Sequence, residues 1–159
     1  MPDVSRLPEI IDASAAVAHR ITGIESAFGV GTGDVVDLYT GLAVPAQPSN
    51  ALSIGPGVHV SRWPRSWSIK WLSATVCEIT WLIPMDVSLL GPDLPTLLSQ
   101  AAALLTAYVA MFAQYSQLGG RCNSALITGG QPRQDPPTLE LDLTVVERLN
   151  FELQPGGVI

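Results

Sequence analysis

The chain has 159 residues, 47% of them hydrophobic and only 14% charged, against about 25% charged in an ordinary soluble domain. That length suits one domain with its own core, and that hydrophobicity excludes a disordered chain. Eight basic residues against 14 acidic ones leave a net charge of −6, which argues against a general nucleic-acid-binding domain.

Asp3, Arg6, Glu9 and Asp12 interrupt any apolar signal-peptide core at the N-terminus. Pro8 to about Thr22 predicts a helix, with Ile10, Val17, Ile21 and Ile24 on one stripe. Gly29-Val30-Gly31-Thr32-Gly33 then reads as a loop. It follows a helix and precedes a strand, the reverse of a dinucleotide fingerprint, so it reads as a connector. Val35 to Tyr39 predicts a short strand, Gly41 to Asn50 a loop, and Ile54 to Val60 an irregular or edge strand. From Trp67 to Ile83 the odd positions are mostly apolar, which predicts one long strand, bent near Ser73 and ended by Pro84. Gly91, Pro92 and Pro95 mark a turn before a long helix, about Pro95 to Leu118. Its apolar stripe is Leu97, Ala101, Leu104, Leu105, Tyr108, Phe112 and Tyr115, and Gly119-Gly120 stops it. Ser124 to Thr128 predicts a short strand closed by Gly129-Gly130, with a loop from Pro132 to Pro137. Alternation from Leu139 to Leu153 predicts a final strand with one face in a core, broken only by Glu147.

This order does not alternate strand and helix. It implies an α+β fold, a mainly antiparallel mixed sheet with the N-terminal helix and the long helix packed on one face. One domain over 1–159 is expected, with flexible ends at about 1–6 and 154–159.

So low a charge content implies either a membrane or neighbouring chains. Leu94 to Leu118 carries no charge, but Ser99, Gln100, Gln114 and Gln117 flank its apolar centre and no Lys or Arg anchors it. A membrane span is therefore not expected. His19 and His59 have no zinc-like spacing, and no nucleophile elbow is present. Glu140 and Asp142 share a strand face that reads as solvated. Cys77 and Cys122 read as two reduced, buried thiols in a chain made in a cytoplasm. No catalytic residue, cofactor or metal is expected.

Between Leu38 and Cys77 there is no acidic residue, while Arg62, Arg65 and Lys70 lie there beside Trp63, Trp67 and Trp71, with Trp81 just beyond. Such a mix can stack single-stranded nucleic acid, but Trp and Arg are also the common anchors of protein interfaces. With the chain acidic overall, core plus interface is the better reading, and an inward odd face would bury Trp71 and Trp81. In the long helix, Gln100, Ala103, Ala107 and Gln114 lie off the stripe and are small or uncharged. That suits packing against another subunit. The candidate interface is thus Arg62, Trp63, Arg65, Trp67, Lys70, Gln100, Ala103, Ala107 and Gln114.

The whole layout resembles the tail terminator (tail completion) proteins of long-tailed bacteriophages. The resemblance is carried by the N-terminal helix, Trp67-Ser68-Ile69-Lys70-Trp71 running on to Trp81-Leu82-Ile83-Pro84, the Leu/Ala-rich helix ending Leu118-Gly119-Gly120, Thr128-Gly129-Gly130 and the final strand. It implies an α+β fold and a homo-oligomeric ring, usually a hexamer, at the head-proximal end of the tail of the virion. The partners implied are the tail tube protein and the head–tail connector protein, with DNA passing through unread and no catalytic motif. High Trp density and low charge depart from the family's usual pattern. The alternatives are another head–tail joining or tube-related virion protein, a small-ligand enzyme or binding module walled by the Trp-rich strand, and a single-stranded nucleic-acid binder.

Overall fold

Ser5 begins the first element, because its Oγ accepts the Leu7 N–H at 3.2 Å and so satisfies a donor that a helix start leaves without a partner. Helix α1 follows, Leu7–Ala18, with Pro8 in its first turn. It buries Ile10, Ile11, Val17 and Ala18. Ser14 is also buried and returns its hydroxyl to the Ile10 carbonyl at 2.7 Å. The computed structural model describes residues 3–18, 58–89, 93–134 and 136–151. His19, the glycine loop at Gly29, the strand expected at Val35–Tyr39 and the loop Gly41–Asn50 lie outside the described residues.

Among the described residues five strands form one antiparallel sheet: β1 Val58–Val60, β2 Ser66–Trp71, β3 Val76–Ser88, β4 Ser124–Gln134 and β5 Pro137–Asn150. β3 and β5 are central, β4 lies outside β5, and β1 and β2 both pair with β3. Helix α2, Leu94–Gln114, connects β3 to β4. Asp93 caps it by accepting the Thr96 N–H at 2.9 Å, and that bond holds the Asp93 carboxyl below its usual range. The chain leaves α2 through a further turn in which Gly119 and Gly120 have φ of +70° and +86°, a left-handed backbone that glycine adopts without strain.

Both helices lie on the same sheet face, so the fold is the α+β architecture expected. Leu104, Tyr108 and Phe112 of α2 and Ile10 and Val17 of α1 pack on Ile83, Met85, Val87, Leu141, Leu143 and Val145. Each such apolar side chain contributes roughly 1.5–3 kcal/mol by leaving water. By length and composition alone α2 is apolar enough to cross a membrane, with 21 residues and a mean hydropathy of 1.5. Here one face of it belongs to the core.

Four expectations about the strands need correction. Trp67 to Ile83 is not one bent strand but a hairpin, turning at 72–75. The Ser73 Oγ holds that turn by accepting the Thr75 and Val76 N–H groups at 3.2 and 3.1 Å. Pro84 does not end β3, which continues to Ser88. The edge partner is itself interrupted there: β1 stops opposite Met85, β2 starts opposite Leu82, and Ser61 N–H reaches the Pro84 carbonyl at 2.9 Å. A proline is tolerated where no ladder donor is needed. Gly129-Gly130 does not close β4, and Pro132 to Pro137 is mostly strand. An irregularity between Ile127 and Gly129 shifts the register, and β4 then runs on to Gln134. At Gly130 a side chain would come 2.0 Å from the Glu140 carbonyl oxygen, so only glycine lets the strands approach this closely.

Candidate functional site

The hairpin of β2 and β3 determines which tryptophans reach water. Trp71 lies opposite Cys77, so the odd residues of both strands share the helix-side face. One lateral row crosses the sheet through Trp67, Trp81, Val145 and Ala125. Val145 and Ala125 are fully buried beneath the helices, Trp81 is half-buried, and Trp67 is 63% exposed. The sheet is therefore wider than the layer of the two described helices above it. Beyond that layer its core face continues as bare apolar surface through Trp67, Ile69 and Trp71. The expectation that Trp71 is packed inside is corrected: it is 58% exposed. Its alternation with polar residues is that of a core face, but neither described helix covers it.

The rings hold one another in place. Trp67 and Trp81 sit 6.2 Å apart at 48°, and Trp71 and Phe151 sit 5.9 Å apart at 44°. These tilted pairs add about 0.5–1.5 kcal/mol each beyond area. Glu147, the break in the apolar pattern, is 3% exposed. Its carboxylate accepts the Trp81 indole N–H at 3.2 Å, the Ser5 hydroxyl at 2.7 Å and the Arg6 N–H at 2.6 Å. A charge so placed is tolerated because it is hydrogen-bonded. It also ties the start of α1 to the sheet, where Asp3 and Asn150 bond reciprocally, N–H to carbonyl at 3.1 Å and N–H to carboxylate at 2.8 Å.

The basic candidates are mostly spent within the chain. Arg62 pairs with Asp12 of α1. Arg65 pairs with Asp142 at 3.1 Å. Lys70 lies opposite Glu78 in the register. Trp63 is 81% exposed beside the Ser61 turn. This arrangement does not present the three cations as a free basic groove.

The helix candidates divide. Gln114 is exposed, but Gln100, Ala103 and Ala107 are only half-exposed, and Ala107 packs against the core. The open face of α2 is instead Leu94, Leu98, Leu105 and Val109, so the placement of Leu105 in the core stripe is corrected. Leu105 and Val109 line an apolar groove of about 390 Å³ with Ile127, Gly129, Pro132 and Leu139. The spacing of Leu94 with Leu98, and of Leu105 with Val109, was the available signal for a second apolar face.

The other face of the sheet is polar. Glu140 and Asp142 do lie together there, but half-buried and paired: Arg133 reaches Glu140 at 2.6 Å and Asp86 at 3.4 Å. Burial pushes the Asp86 carboxyl up from its ordinary value, partly offset by the Arg133 charge. Burial also pushes His59, opposite Asp86 on β1, down from its ordinary value. Among the described residues no group of three or more His, Cys, Asp or Glu could hold a metal ion. A second groove, about 780 Å³ between α1 and the turn after α2, carries Glu9 and Asp12, already paired with Arg6 and Arg62. Cys77 and Cys122 are free thiols; Cys77 is buried as expected, while Cys122 is corrected to half-buried.

Comparisons with known protein families, with characterised proteins and with solved structures find no match.

Proposed function

We propose that this chain is a structural virion subunit, a tail terminator that closes into a ring on the tail tube of a long-tailed bacteriophage. In this reading it stops tube polymerisation and offers the docking surface for the head connector. One observation carries it: the sheet and α2 expose uncharged apolar faces among the described residues, as expected of a subunit whose surface is completed by neighbours. The order of helix, tryptophan hairpin, uncharged helix and final hairpin supports the family resemblance. The net charge of −6 suits a channel that DNA traverses without being held. The role needs no cofactor and no catalytic step, and it places the protein at the head-proximal end of the tail.

Purified protein added to polymerising tail tubes is expected to sit at one tube end and halt growth, as seen by electron microscopy. Tubes that elongate unchanged, with no protein at their ends, would sink the reading. Normal-length tails left unattached in a virus lacking the gene would point instead to a head-side joining protein. Overlong tails are the expected result. A ligand-dependent rise in melting temperature would point to the binding-module alternative.

A further inference from the structure

The two bare apolar faces lie at opposite edges of one sheet. Trp67, Ile69 and Trp71 belong to β2, whose outer edge has no strand partner among the described residues. Leu105 and Val109 line the groove over β4, whose outer edge likewise has no strand partner there. We infer that these faces are the two halves of one head-to-tail contact: the β2 edge of one copy lies beside the β4 edge of the next, and its tryptophan face slides under the neighbour's α2. The inference deepens the ring-forming reading above by naming its subunit contact.

Geometry, area and charge all favour a second copy as the occupant. The row from Trp67 through Trp81 and Val145 to Ala125 lies on one sheet face. A neighbour that continues the sheet therefore brings its helix layer over the same side as the indoles. Trp67, Ile69 and Trp71 are 63%, 52% and 58% exposed. An aromatic side chain buries roughly 150–250 Å², so covering these three removes on the order of 350 Å², nearly half of the ~800 Å² per partner in a standard stable interface. The receiving face, Leu94, Leu98, Leu105 and Val109, lies on a helix with no charged residue, so nothing on it selects a charged partner. Because the two faces differ, the contact is heterologous, and repeating it closes a ring or extends a filament. A symmetric dimer built on one sheet edge would leave the face at the opposite edge bare.

The test is sedimentation velocity with native mass spectrometry on the full chain and two double variants. Trp67→Ser with Trp71→Ser removes one half of the contact; Leu98→Glu with Val109→Glu removes the other. The wild type is expected to assemble beyond a dimer with rising concentration. Each variant alone is expected to associate roughly tenfold or more weakly, as when an interface hot spot is lost. Mixed together, the variants keep one intact half each and are expected to give a heterodimer that does not grow. Near-UV circular dichroism checks the fold, and the single changes Ile69→Lys and Leu98→Lys, both at exposed positions, replace any double variant that does not fold. A wild type monomeric at every concentration, variants that assemble like the wild type, or a mixture without heterodimer would each overturn the contact. Rings that never bind tube ends would sink the terminator reading and leave the contact standing. A monomer that caps tubes would do the reverse.

Discussion

Trp81 donates its indole N–H across 3.2 Å to the Glu147 carboxylate, which also receives Ser5 and Arg6. One side chain of β5 thus fixes both a tryptophan of β3 and the start of α1. Glu147→Ala orphans these donors together and is expected to cost about 2–4 kcal/mol, the loss of several buried hydrogen bonds to a charged group. Glu147→Gln, which still accepts, is expected to cost less. Urea unfolding midpoints measure both.

Two glycines of positive φ differ in the room left for a side chain. Gly120, with φ +86°, has open space where a side chain would stand, so Gly120→Ala should cost only the left-handed penalty of about 1–2 kcal/mol. Gly130→Ala drives a methyl into the Glu140 carbonyl at 2.0 Å and is expected to cost more, with the β4–β5 hairpin loosened. Thermal melts rank the pair, and hydrogen exchange locates the loosening.

His59 makes stability depend on mild acid. Its Nδ1 is buried without a hydrogen-bond partner, and burial holds its pKa below the ordinary 6.5, with the Asp86 charge opposing and Arg62 adding to the fall. Above 6.5 the ring is neutral folded and unfolded, and the shift contributes nothing. As pH drops below 6.5 toward the folded value, the unfolded chain binds the proton more readily and stability declines. Asp86, whose pKa is raised, acts in the opposite direction at lower pH, regaining stability as pH falls through its folded value toward 3.8. His59→Gln should flatten the decline just below 6.5, as read by denaturation at stepped pH.

Cys122 is the thiol closer to water, yet burial and the neighbouring Glu147 charge push it up to about 11. Little thiolate exists near neutral pH, so alkylation of the folded chain should be slow. Glu147→Gln removes the like charge and should speed labelling of Cys122, while the buried Cys77 stays slow; mass-resolved alkylation rates distinguish the two.

Periodicity was the legible part of the chain. The odd-face alternation from Trp67 onward survives the hairpin because Trp71 pairs with Cys77. The same continuity hid the turn, since Leu72-Ser73-Ala74-Thr75 has no Gly, Pro, Asn or Asp and is held by the Ser73 hydroxyl alone among its side chains. Pro84 and Gly129-Gly130 read as stops because their partners lie far away in sequence: the gap between β1 and β2, and the Glu140 carbonyl. Glu147 read as a flaw because its donors include Ser5 and Arg6, more than a hundred residues away. The candidate interface was half legible. Trp63 and Trp67 are exposed as expected, while Ala107 turns to the core and Leu98 and Val109 take the open side.

The charge-free helix α2 has a thermodynamic consequence. A contact made through Leu98, Leu105 and Val109 offers little for dissolved ions to screen, so sodium chloride should barely change its strength. Warming from near freezing and adding sulfate should strengthen it, because both favour removing hydrocarbon from water. An assembly that loosens in the cold and ignores moderate salt would carry the signature of that surface, and light scattering against temperature reads it directly.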